Sequence, residues 1–341
     1  MNKIFAFENK IKNSNCQITK NFLYYLIAPV VILIAGIILL CTVGFNSSVD
    51  FAGGSTFTLY INNGGECSTA QQYDIDEDYN AICGKIGAIL AEENFVIEYT
   101  QKTELTAEGS FAAGDAVKVV FKNRSTDAEQ IKLDNEGLKY RILAEFGYST
   151  FNEAIDGVDV IEPTMSIGWT LALVGSVIFA IAAAAVYMTL RTKNIAWFMA
   201  ILLGVVDITL TGALLLICRV PVGVSTAGII AATAVASLFN FFCFYKKAQS
   251  GIKAGIYDKY TFARMADSTV KQLAFKKAVM YILLAVAAIF ITIIPARAIR
   301  FSAVAVLLML ISTFYTSNFI LPAIWSATYR EKKISNKEKQ A

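Results

Sequence analysis

Residues 21–45 read NFLYYLIAPVVILIAGIILLCTVGF, an uncharged apolar run that follows Lys20. A helix needs ~20 such residues to cross a bilayer, because a backbone in lipid must satisfy its own hydrogen bonds. This run stands alone. A polar segment covers 46–167, and five further apolar runs then follow almost back to back at 168–190, 195–218, 226–245, 278–295 and 301–329. With 56% hydrophobic residues and a mean hydropathy of +0.53, the chain is a polytopic α-helical membrane protein. Its expected layout is six spans, one plus five, with a domain between the first and the second. The first run is too long for a cleaved leader and no small-residue site follows it, so it is expected to stay as an anchor.

Charge fixes the orientation. The 46–167 segment carries 21 of the 27 acidic residues and 8 of the 30 Lys and Arg. Most other basic residues lie in the tails 1–20 and 330–341, in the turn at Arg191 and Lys193, and in the 246–277 segment. The opposite turns have only Arg219, Arg297 and Arg300. The positive-inside bias therefore places both termini in the cytoplasm and the acidic domain outside. The basic residues flank membrane spans, which argues against nucleic acid as a partner. The 246–277 segment interleaves Lys and Arg with Ile252, Ile256, Tyr260 and Phe262, as an amphipathic helix on the inner leaflet would. Anionic lipid and a protein partner's cytoplasmic face fit that pattern equally.

The exported segment alternates between strand and helix signals. Residues 55–62 alternate after Gly53-Gly54, and 79–94 has helical spacing with Ile82, Ile86, Ile89 and Leu90 on one side. Strands are expected at 95–102 and 116–122, a second helix at 127–146 and a short strand at 158–161. The order β-α-β-β-α-β predicts a ferredoxin-like α+β sheet with both helices on one face. Among six cysteines only Cys67 and Cys83 lie in this exported domain, as a disulfide or as two separate thiols. The chain has no His and no CxxC pair, so neither a metal nor another cofactor is expected. No GxxxxGK[ST] loop or catalytic constellation occurs, so enzymatic activity is not expected either.

Asp207 is the one acidic residue inside the expected spans. A carboxylate there costs at least ~2.5 kcal/mol on insertion scales and faces a bundle interior or a wet cavity. Gly204 and Thr211 share its helix face. It is a candidate proton carrier or polar gate, or an acid that only fixes helix contacts. Thr226, Thr233, Ser237 and Asn240 form one polar stripe, either a water-lined path or small-residue glue between helices. Ser312 to Asn318 add a dense polar belt in the last span.

Val49-Asp50-Phe51-Ala52-Gly53-Gly54-Ser55, just after the first span, resembles the signature that opens the exported domain of the SecF family. Val206-Asp207 stands where that family has His-Asp, Ser237-Leu238-Phe239-Asn240 falls on its Ser-Ile-Asn-Asp, and the 314–320 stretch is similar to its Tyr-Ser-Ser-x-Phe-Ile. The resemblance implies an accessory subunit of the Sec protein-export translocon in the bacterial cell membrane. Its implied partners are a SecD-like chain, a SecY-type channel and the translocating preprotein. It also implies an RND-like bundle that couples late translocation to proton flow. Asp50, Phe51, Gly53 and Gly54 are the signature; Asp207, Asn240, Thr211, Ser237 and Lys276 are the proton-path candidates. Two departures matter. Asn240 replaces the family acid and cannot load a proton, and a lysine near Lys276 replaces the family arginine. The competing expectations are an RND-type exporter of lipids or small molecules and a translocon scaffold without coupling.

Overall fold

The computed structural model describes residues 17–62, 75–105, 114–125, 127–148, 155–163, 196–254, 261–293 and 297–327, with scattered single positions elsewhere. In chain order these form α1 (Phe22–Thr42), α2 (Val49–Ala52), β1 (Gly54–Asn62), α3 (Ile75–Glu92), β2 (Val96–Leu105) and β3 (Gly114–Lys122). After them come α4 (Ala128–Glu145), β4 (Ile155–Ile161), α5 (Ala196–Ile217), α6 (Val224–Lys253), α7 (Phe262–Thr292) and α8 (Arg297–Tyr315). A π-helical turn, Thr316–Ile320, carries α8 onward to residue 327.

Among the described residues five helices are long and apolar enough to cross a membrane: α1, α5, α6, α7 and α8 with its extension. The protein is a multi-pass membrane protein. About half of the expected span at 168–190 lies among the described residues. Those of its positions that are described are helical, and Leu171, Ile178, Phe179, Val186 and Leu190 are exposed, as side chains facing lipid would be.

The domain between α1 and the later spans is a four-stranded antiparallel sheet of order β2-β3-β1-β4. Period-2 alternation turns Phe57, Leu59 and Ile61 of β1 and Val117, Val119 and Phe121 of β3 to one face. There they meet Ile82, Ile86 and Leu90 of α3 and Leu138, Ile142 and Leu143 of α4. Each of these side chains stabilises the domain by about 1.5–3 kcal/mol when fully buried. The ferredoxin-like expectation holds. α3 starts four residues before the expected boundary, where Asp76, Glu77 and Asp78 suit the positive end of a helix dipole. Asp127 caps α4 by accepting from the Glu129 N–H at 3.2 Å.

In the bundle α1 lies on α5. Its exposed Leu23, Ile27, Val31, Ile34 and Ile38 leave only Pro29 and Gly36 buried. Gly36 sets the approach: a Cβ there would come within 2.6 Å of the Ala213 Cβ. Small residues at a crossing let two backbones close up where no hydrophobic drive between helices exists.

The described part of the 246–277 segment is mostly helical. α6 continues to Lys253, and α7 begins at Phe262 with Thr261 as its cap. The physical reason lies in a buried cluster at this end of the bundle. Phe244, Tyr245, Ala248, Met265, Ala266 and Val270 pack with Ile18 and Trp325, so the helices extend to cover one another. Asp267, also buried there, accepts from the Thr19 backbone N–H and hydroxyl, both at 3.0 Å, and pins the segment before α1.

Candidate functional site

α5 presents Asp207 to the bundle interior, where the residue is fully buried. Both carboxylate oxygens receive hydroxyl donors: Ser237 of α6 donates to one and Thr316 of the π-turn to the other. The Ser312 hydroxyl, one turn before Thr316, donates to the Asp207 carbonyl at 3.4 Å. Three elements thus converge on one side chain. Hydroxyl donors to an ionised carboxylate are charge-assisted and stronger than neutral pairs. One turn further along α5 the fully buried Thr211 hydroxyl has no hydrogen-bond partner among the described residues. One turn back, a Cβ added at buried Gly204 would meet no atom of the described residues within 4 Å. The Asp207 face of α5 is therefore polar and incompletely filled.

Asn240 is buried too, but in a different system. Its amide donates to the Tyr281 hydroxyl at 2.7 Å, which donates to Thr313 Oγ1 at 3.2 Å; Thr313 donates in turn to the Met309 carbonyl at 2.8 Å. Every donor in this run points the same way and the run ends on a backbone carbonyl. No group in it takes up a proton.

The structure separates the expected lysine from the interior. Lys276 is exposed, whereas Lys277 is 8% exposed. Lys277 sits one turn before Tyr281 on the buried face of α7 and within electrostatic reach of Asp207. Lys277 therefore replaces Lys276 as the interior cation. A spacing of four from Tyr281 is the sequence signal that marks it.

The π-turn carries no clear sequence signal. It buries three consecutive residues, Thr316, Ser317 and Asn318. Such turns inside α-helices recur at functional sites.

The signature residues lie elsewhere, at the joint between the sheet domain and the bundle. Ser48 caps α2, and its hydroxyl accepts from the Asp50 N–H at 3.2 Å. Gly53 adopts φ +72°, a left-handed conformation that glycine takes at no steric cost. A Cβ at Gly54 would meet the Phe121 carbonyl at 2.5 Å. Phe51 is half-buried. Asp50 Oδ2 accepts from the Val224 N–H of α6 at 3.2 Å. Ser237 is thirteen residues further along α6, about 20 Å away at 1.5 Å per residue. Beside the joint, burial pushes the Lys122 ammonium below its ordinary range, partly opposed by Glu98.

Cys67 lies outside the described residues, so its pairing with Cys83 does too; the Cys83 thiol rests 3.5 Å from Thr100 Oγ1. Among the described residues no group of His, Cys, Asp or Glu could hold a metal ion.

No family model and no curated relative matches the sequence. Solved structures do. The fold is similar to the crystal structure of SecDF in its super-membrane-facing form, with a TM-score of 0.69 at 12% identity over 96% of this chain and 40% of that one. It is also similar to the crystal structure of SecDF, a translocon-associated membrane protein, from Thermus thermophilus: TM-score 0.60, 14% identity, 93% of this chain and 39% of that one. The chain spans about two-fifths of the length of the structures it matches, and over nearly its own whole length it has the SecDF membrane fold.

Proposed function

We propose that the protein is an accessory subunit of the Sec protein-export translocon, acting beside a SecD-like chain and a SecY-type channel. In this role it promotes the late translocation of secreted proteins across a bacterial cell membrane. The observation that carries this reading is the fold shared with SecDF over 96% of the chain.

Asp207 is the coupling group in this reading. It is a fully buried acid held between hydroxyls from two other helical segments, on a face with room beside Gly204. A carboxyl that exchanges its proton would change what Ser237 and Thr316 donate to, and so bias how α6 and the π-turn sit against α5. Lys277 supplies the nearby positive charge.

A second reading is a translocon scaffold that no longer couples to a proton gradient. The observation favouring it is Asn240, which closes a neutral hydrogen-bond run with Tyr281 and Thr313.

Gentle extraction of the native protein and mass spectrometry of what co-purifies tests the class. Recovery of a SecD-like chain and a SecY-type channel in fixed ratio is the expected result. Recovery of the protein alone, or as a self-oligomer, rejects it and favours an RND-type exporter.

A further inference from the structure

The exported domain and the bundle have separate cores. Phe57, Phe121 and Leu143 belong to one cluster, Phe244, Met265 and Trp325 to another. A polar seam joins the two bodies. Ser48 N donates to the Val222 carbonyl at 2.9 Å and Val222 N to the Asn46 carbonyl at 2.8 Å. Asn46 Nδ2 donates to the Arg219 carbonyl at 2.9 Å, and Lys122 Nζ to Asn46 Oδ1 at 2.8 Å. Glu98 is the extra residue of a bulge between Ile97 and Tyr99, and its carboxylate accepts from the Val49 N–H at 2.5 Å. Bulges re-aim side chains in this way, and they cluster beside functional sites. A cavity of about 50 Å³ remains between the two bodies, bordered by Asp50, Glu98, Tyr99, Gly223, Thr226 and Phe301.

We propose that this seam is a latch, with Asp50 as a positioning residue that couples the exported domain to the Asp207 site through α6. α6 does not need Asp50 in order to form. The Thr226 hydroxyl already accepts from the Gly223 N–H at 2.6 Å and closes the helix start. Asp50 adds a negative charge at the positive end of the α6 dipole, supplied by the other body and exposed to solvent. A contact that is solvated and dispensable for the helix is one that opens and closes at low cost. α6 runs unbroken from Val224 to Lys253 and carries Ser237, which holds Asp207. Displacement of its head is therefore delivered at the buried carboxyl. Polar interfaces between two separately cored bodies favour relative motion by default.

The geometry supplies its own test. A Cβ at Gly223 would lie 3.4 Å from the Ser48 Cβ, close to the ~3.5–4.5 Å found across disulfides. It would also lie 2.6 Å from Asp50 Oδ2, which must shift in both redox forms of a cysteine pair placed here. The two forms of one chain are therefore compared with each other, and Asp50→Ala is measured beside them. The full chain carrying Ser48→Cys and Gly223→Cys, with its native cysteines replaced, is placed in lipid nanodiscs. A hydrophobic carbodiimide, which modifies protonated buried carboxyls, is the probe, and the Asp207 adduct is read by mass spectrometry. The oxidised form is expected to label at least about fivefold more slowly than the reduced form, the lower range of allosteric couplings. Equal labelling in both forms, including none, overturns the latch, as does a cysteine pair that stays reduced under oxidant. Should the pair fail to fold, Asp50→Ala decides alone: faster labelling than wild type supports the latch and an equal rate overturns it. The readout lies within this chain and is independent of any role in export.

Discussion

The Asn240 amide donates to the Tyr281 hydroxyl at 2.7 Å and takes no part in the site of Asp207, although Ser237, three residues earlier on the same helix, serves that site directly. The polar stripe of α6 thus divides into two systems. One surrounds an ionisable group and the other ends on a carbonyl. Tyr281→Phe removes the acceptor of a buried amide and should destabilise the protein by about 1–3 kcal/mol. Thermal unfolding in detergent measures this, and export stimulation is expected to persist. A variant that melts like wild type but loses export would contradict the division.

Lys276 and Lys277 are adjacent in sequence and opposite in environment. Lys277→Gln removes the cation in reach of Asp207 and should weaken gradient-dependent export. Lys276→Gln changes an exposed side chain and should stay within about 0.5 kcal/mol of wild type in stability, with export unaltered. The paired variants, assayed side by side, check the assignment.

The contact between Gly36 and Ala213 leaves no room for a larger side chain. Gly36→Leu should cost about 1–3 kcal/mol as α1 is forced from α5. Ala213→Gly in the same chain should recover part of the loss, and a double-mutant cycle by thermal unfolding reads the coupling.

Thr19 gives Asp267 two donors, and Asp267 supplies both acceptor oxygens. Asp267→Ala should release the segment before α1 while the spans stay intact. Limited proteolysis of the N-terminal tail should accelerate, with the cleavage sites confined to residues before α1.

Much of this architecture was legible in the sequence. The exported sheet could be read because Phe57, Leu59 and Ile61 alternate and Ile82, Ile86, Ile89 and Leu90 repeat at helical spacing. Both patterns report burial on one face. Asp207 was visible as the single acid of an apolar run. The far end of α6 and the start of α7 were not legible, because their Lys and Arg lower the hydropathy that marks a span while Met265 and Val270 hold the buried face. Lys277 was missed by one position. Counting along a distant resemblance is uncertain by a residue, and one residue on a helix is about 100° of rotation. The π-turn was hidden because Thr316, Ser317 and Asn318 give no period.

The central claim is that this chain promotes export and that Asp207 couples it to a proton gradient. The most direct measurement is preprotein translocation into proteoliposomes holding the channel, the motor and a SecD-like partner, with and without an imposed gradient. Wild type should raise the translocated yield only when the gradient is present, and Asp207→Asn, which retains the shape of the side chain, should remove that increment. Equal stimulation by wild type and Asp207→Asn would contradict coupling through Asp207, and no stimulation by wild type would contradict the export function itself.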